Sequence, residues 1–308
     1  MLFRSLQHYL FGFMDRFAHL AAIAPGLANL PMKVPGVSSL VKTIAGVSQQ
    51  RTLPQFAGKN FRSQYRNRPS GTGMPVLLWP DTWNNYFHPE TLGAAHEVLG
   101  SAGFQVQVPA QHVCCGRPLY DFGFLDQART YLLDILEKFA PQIDADVPFV
   151  VLEPSCASVF RDELINFFPA NERARRLAKQ TLLLSEILTQ HAPAYRPPQL
   201  AGRNIVLHGH CHQKALMGMQ DELSLLQGTN AKVNMLDSGC CGMAGPFGFE
   251  KDKFDVSQAL GERVLLPAVR SAAPETILVT NGFSCREQIR QNSPRHALHL
   301  AEVLAGRG

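Results

Sequence analysis

No stretch of this chain approaches the roughly 18–20 consecutive apolar residues of a membrane-spanning helix, so an integral membrane protein is not expected. The apolar start is interrupted by His8, Asp15 and Arg16 and lacks a clear cleavage site, which argues against a secretory signal. There is no C-x-x-C pair, P-loop, glycine-rich dinucleotide fingerprint or nucleophile–base triad, so disulfide exchange, nucleotide chemistry and acyl transfer lack their usual signatures. Seven cysteines, an odd number, in 308 residues fit a reducing compartment rather than a disulfide framework, and the expected location is the cytoplasm. Acid is scarce at the start. Through residue 80, nine basic residues face the single acid Asp15, a net +8 that leaves the remainder at −4. A basic, partly amphipathic leader suits an acidic partner surface or anionic lipid, with peripheral attachment at the inner membrane face. The plainer alternative is that it packs along the body with its charges in water. The basic residues are dispersed and no nucleic-acid motif accompanies them, so nucleic acid is not an expected partner.

What the chain does have is a regular placement of cysteine. Cys-Cys-Gly occurs at Cys114-Cys115-Gly116 and again at Cys240-Cys241-Gly242, and each doublet is followed some forty residues later by a lone cysteine, Cys156 or Cys285. Cys211 precedes the second doublet. Cysteine spaced this way in a two-fold repeat points to a metal or cluster rather than to core filling.

The surrounding pattern repeats as well. Residues 1–70 read as a broken helical leader, with helix over 2–22, prolines at 25, 31 and 35, helix over 37–47, and a linker rich in Pro, Gly and Ser at 66–75. Strands are predicted at 75–79, 104–108 and 149–152, and helices at 89–99 and 125–139. The second half repeats the order, with strands at 204–207, 232–236 and 276–280 and helices at 216–226 and 256–269. The expected fold is α/β: two pseudo-symmetric lobes with mostly parallel sheets and crossover helices, at 71–200 and 201–308, after a helical leader at 1–70. Ligands of such sheets sit beyond the carboxyl ends of the strands, which is where the cysteines fall.

Adjacent cysteines share one site only from a turn, and Gly116 and Gly242 supply the backbone freedom for it. In the second half Cys211, Cys240, Cys241 and Cys285 make a complement of four thiolates, the usual set for an iron–sulfur cluster or a tetrahedral zinc site. The first half has three, Cys114, Cys115 and Cys156. Asp81 stands where Cys211 would correspond, as a candidate oxygen ligand. Either this trio is a weaker site, a buried thiol group left from duplication, or part of a site shared between the lobes. Alternation along His208-Gly-His210-Cys211-His212 would put the three histidines on one face, opposite Cys211, in contact with the centre's surroundings rather than with metal. Lys214 is expected to offset negative charge there, with His112 and Arg117 supporting the first doublet. Glu153 reads as ordinary turn chemistry, and Glu287 as a first-turn acid.

These residues resemble the duplicated CCG, or cysteine-rich, domain of iron–sulfur redox proteins, a family that includes the CCG-bearing subunit of heterodisulfide reductase, glycolate oxidase iron–sulfur subunits and lactate-utilisation subunits. The stretches that carry the likeness are DTWNNYFHPE, VCCGRPLYDFGFLDQAR, LEPSCASVFRDEL, HGHCHQKALMGM, DSGCCGMAGPFGFE, GFSCREQI and ALHLAEVL. The nearest similarity is to the C-terminal part of FAD-linked oxidases of D-2-hydroxy acids. The resemblance implies an electron-transfer module, with an iron–sulfur cluster of the 4Fe–4S type, or zinc as the alternative. FAD is then expected on a flavoprotein partner or missing upstream domain, a ferredoxin-like module relays electrons, and a membrane quinone or other acceptor receives them. The chain by itself is not expected to oxidise a hydroxy acid. The fullest family pattern has five thiolates per repeat ending in C-x-x-C; here Cys285 stands alone, which sets disulfide-reducing chemistry aside.

Overall fold

A computed structural model describes residues 4–68 and 70–307; residues 1–3 of the expected first helix, residue 69 of the expected linker and residue 308 lie outside the described residues. Eight short strands form two sheets. The first holds β1 (Pro75–Leu78), β2 (Gln105–Gln107), β3 (Phe149–Val151) and β4 (Thr181–Leu183) in the order β2-β1-β3-β4, all parallel. The second holds β5 (Asn204–Leu207), β6 (Lys232–Met235), β7 (Ile277–Val279) and β8 (Ala297–Leu298) in the order β6-β5-β7-β8, also all parallel. The two orders are the same winding, repeated. In each sheet the strand order reverses between the first and third strands, and the loops leaving the carboxyl ends of those strands open a crevice.

Strand periodicity decides how the lobes join. Val76 and Leu78 of β1, with Val150 of β3, share one core with Ile205 and Leu207 of β5 and Ile277 and Val279 of β7. The alternate residues Leu77, Phe149 and Val151 face a separate core behind the first sheet, and Val206 and Leu278 face a third. Successive side chains of a strand point to opposite faces, so both sheets are buried on both sides and their central strands are continuously apolar.

Two strands have no clear signal in the sequence. β4 is three residues between helices, and β8 is two, too short for a periodicity to register. Two expected helices are interrupted. The segment expected over 256–269 is Phe254–Gly261 followed by Leu265–Ser271, because Pro267 gives no N–H to the carbonyl four residues earlier and its ring crowds it. The segment expected over 216–226 becomes Cys211–Leu216 and Gln220–Gln227, parted at Gly218 with φ 83°.

Among the described residues the leader holds five helices, α1 (Leu6–Gly12), α2 (Met14–Ala21), α3 (Pro25–Lys33), α4 (Pro35–Ile44) and the short α5 (Phe61–Tyr65). Pro25 and Pro35 start helices rather than only breaking them, since a first-turn N–H has no helical partner to lose. The leader lies across both halves. Phe13 packs against Leu119 and Phe124 of the first, and Phe11 and Val47 join Cys241, Met243 and Phe249 in the second. Not all its charges are solvated. Arg51 is buried, donates to the Gly248 carbonyl at 2.7 Å and to Ser257 Oγ at 2.8 Å, and is pushed down to about 10 by that burial. Among the described residues no helix is long and apolar enough to cross a membrane.

Candidate metal centre

The lone cysteines do not sit in open loops. Cys156 lies in the first turn of helix Pro154–Ser158, Cys211 begins helix Cys211–Leu216, and Cys285 is in the first turn of helix Phe283–Asn292. Unpaired N–H groups and the positive dipole end favour a thiolate at that position. The doublets do occupy loops, and each is shaped in the same way. Gly116 and Gly242 have φ of 80° and 91°, and their N–H groups point back to Cys114 Sγ at 3.4 Å and Cys240 Sγ at 3.3 Å. A Cβ on Gly242 would run into the Ser257 carbonyl oxygen.

The four second-half sulfurs form one chain of contacts: Cys211 with Cys240, Cys240 with Cys241, and Cys241 with Cys285. Their protonation is divided. Hydrogen bonds from Cys211 and Cys241 push the Cys240 thiol down, and a hydrogen bond from Cys241 pushes Cys285 well below its usual value despite burial. The donors Cys211 and Cys241 are pushed up in turn. Two thiolates held by two thiols are a set in which a metal cation takes the place of shared protons. The donor chemistry therefore fits a four-thiolate centre.

The first-half sulfurs also meet, with Cys115 Sγ donating to Cys156 Sγ at 3.0 Å and Cys114 bonded to Cys115. Here no thiolate is favoured. Cys114 is pushed well up by its bond to Cys115, with burial and Asp15 adding to it. Cys156 is lowered by its bond to Cys115, but burial and the carboxylates Asp81 and Glu153 outweigh that and leave it at about 12. Asp81 itself is enclosed and caps helix Thr82–Tyr86: Oδ1 accepts from the Asn84 N–H at 3.0 Å and Oδ2 from Asn84 Nδ2 at 2.9 Å. Both oxygens are thus occupied within the fold.

The first set and Cys211 of the second open on one cavity of about 380 Å³. It is lined by Cys114, Cys115 and Cys156 from one half and Cys211 from the other, with Asp15, Arg117, Glu153, His210 and His212 among the walls.

The supporting residues depart from expectation in several places. The three histidines do not share a face opposite Cys211, because the extended run ends at His210, which caps the helix that Cys211 begins. The ligand atoms of His210, Cys211 and His212 lie within 4.8 Å of one another, as do those of His208, Cys241 and Cys285. His208 is the histidine that reaches the buried sulfurs, and its Nδ1 pairs with Ser238 Oγ at 2.8 Å. Lys214 donates to the Ser238 carbonyl, holding the loop before the second doublet rather than facing the sulfurs. Arg117 lines the cavity but is paired with Asp121 and Glu163. His112 binds Tyr86 OH and Asp15 Oδ2, both at 3.1 Å, and no cysteine.

Glu153 does more than set a turn. Its Oε1 accepts from Ser155 Oγ at 2.9 Å in its own helix, while Oε2 accepts from the Phe283 N–H at 2.8 Å. One carboxylate thus caps the helix carrying Cys156 and the helix carrying Cys285. Glu287 is not a first-turn acid but a buried partner of Arg290 at 2.7 Å, pushed down to about 2 against its burial by His88, whose Nε2 lies 3.9 Å away, and by the hydrogen bonds from Arg290.

The CCG cysteine-rich domain matches residues 81–161 and again 206–290. The chain belongs to that family. The C subunit of anaerobic glycerol-3-phosphate dehydrogenase of Escherichia coli K12 is similar at 25% identity over 308 residues, covering 98% of this chain and 77% of the relative. Lactate utilization protein A 2 of Bacillus cereus Q1 is 24% identical over 245 residues, covering 75% of this chain and 98% of the relative. D-2-hydroxyglutarate dehydrogenase of Pseudomonas putida is 24% identical over 318 residues; the match covers 98% of this chain and 30% of that longer protein.

Proposed function

We propose that this CCG protein is an iron–sulfur electron-transfer module working with a FAD-linked dehydrogenase, with Cys211, Cys240, Cys241 and Cys285 as the ligands. The observation that carries the reading is the succession of those four sulfurs, Cys211 against Cys240, Cys240 against Cys241 and Cys241 against Cys285, gathered beyond the ends of β5, β6 and β7. Relatives named as a dehydrogenase subunit and as a dehydrogenase support the same class. When bound, a cluster of the 4Fe–4S type supplies a reversible one-electron couple. The protein's part is to hold the sulfurs, with the Gly242 N–H donating to Cys240, a hydrogen bond that raises a cluster's potential, and the His208 imidazole lying beside Cys241 and Cys285. FAD belongs to the partner in this scheme, a ferredoxin-like module relays electrons, and a quinone or other acceptor takes them on. The repeats are read as 71–200 and 201–308, with 1–70 as the leader.

Zinc remains the second reading, favoured by the proximity of His208 to Cys241 and Cys285. One preparation separates the two. Anaerobically purified protein is expected to be brown, with iron and acid-labile sulfide that Cys241→Ser removes. Colourless protein with stoichiometric zinc overturns the electron-transfer reading, because zinc is redox-silent.

A further inference from the structure

The outer faces of α3 and α4 show what a folded body ordinarily hides. Leu27 and Leu30 of α3, then Val37, Leu40 and Ile44 of α4, are all exposed, Leu27 at 73%, and Ile23 in the turn before α3 is exposed at 79%. Within each segment they recur every three or four residues, the spacing of one helix face. Soluble monomers rarely leave so continuous an aliphatic strip in water.

Two further observations say what covers it. Residues 16–80 contain no acid, and exposed Lys33 closes α3 next to the strip, a charge pattern complementary to an anionic surface. The strip is also wholly aliphatic, without the aromatic and arginine anchors that mark the core of a protein–protein interface. A helix with such a face and cationic borders is built to lie at the boundary between lipid headgroups and acyl chains.

The inner face of α3 adds to this. Ala28 and Met32 line a second, nearly all-apolar cavity of about 170 Å³ with Phe56 and Phe87. Met14, Trp83 and Pro246 line this slot and the cysteine cavity alike. One helix therefore carries the aliphatic strip outside and closes an apolar slot inside, and the slot adjoins the cysteines.

We propose that α3 and α4 seat the protein on an anionic bilayer, with their aliphatic faces among the acyl chains and Lys33 at the phosphates. That this seat brings a lipophilic electron acceptor to the slot rests on the electron-transfer reading; the seat itself does not.

The test is flotation of the full chain, purified with its metal, on vesicles of equal parts phosphatidylglycerol and phosphatidylcholine, and on phosphatidylcholine alone. The full chain is expected to float with the anionic vesicles and to bind neutral ones about tenfold less. The triple variant Ile23→Gln/Leu27→Gln/Leu40→Gln should lose about tenfold or more of the anionic binding while keeping its iron and its circular dichroism. Leu27→Trp should show a blue shift of emission when anionic vesicles are added. Protein that stays in the dense layer, a triple variant that floats like the parent, or an introduced indole whose emission does not move each overturns the seat. Metal content is measured on the same samples: flotation without iron leaves the seat and sinks the electron-transfer reading, and iron without flotation does the reverse.

Discussion

The two cysteine sets come from the same winding of the same strands, yet their electrostatics oppose one another. In the second half Cys240 and Cys285 are held down as thiolates, with His208 against Cys285. In the first half all three thiols are held up, buried beside Asp15, Asp81 and Glu153, with Arg117 near Cys115. Duplicated geometry therefore does not duplicate chemistry. What distinguishes the sets is a fourth sulfur and the number of carboxylates nearby, because several thiolates around one centre already repel each other and a carboxylate beside them adds to that repulsion.

The sharpest way to break this comparison is substitution within each set. Cys241→Ser or Cys285→Ser is expected to abolish iron binding, whereas Cys115→Ser should retain most of it, read by metal analysis and the visible spectrum. Equal loss from both halves would mean one shared centre across the cavity. The doublet glycines come next. Gly242→Ala should destabilise by about 3 kcal/mol or more, since it adds a backbone collision to a left-handed conformation. Gly116→Ala meets nothing closer than 3.7 Å and should cost about 1–2 kcal/mol, the conformational part alone. Urea midpoints of the two variants measure the gap.

Each half also holds a fully enclosed acid, and these two agree in sign. Burial pushes Asp81 up to about 6 and Glu222 up to about 7. A carboxyl whose folded value is raised favours the folded state at low pH, and that contribution fades as pH rises from the usual carboxyl range through the raised value. Glu222→Gln should therefore gain about 2–3 kcal/mol relative to the parent between pH 4 and pH 8, seen as diverging urea midpoints. No divergence would place Glu222 in water. Smallest of all is Lys214→Met, which unties the loop before the second doublet from the helix of Cys211. A loss of about 1–2 kcal/mol is expected, with no counterpart in the first half.

Six of the eight strands are legible in the sequence, β1, β3, β5 and β7 as short apolar runs and β2 and β6 by alternation of polar and apolar residues, and the doublets because cysteine followed by glycine seldom recurs at matched positions. The starts of the lone-cysteine helices are not legible. His210 reads as part of an alternating strand, and only the folded chain shows it turning into a cap. Glu153 looks like local turn chemistry because its second partner, the Phe283 N–H, is 130 residues away. Asp15 carries no signal of lining a cysteine cavity, since nothing in a leader's own pattern says which loops it will cover.

By itself the sequence determined the elements and their repetition: strand and helix periodicities, turn glycines and the residue types available at each loop are local properties. Tertiary structure alone decided which sulfurs touch, which way their surroundings push their protons, and that Cys211 looks into the same cavity as the first set. Those outcomes depend on distances between segments remote in the chain and on burial, which removes the water that would otherwise level every charge.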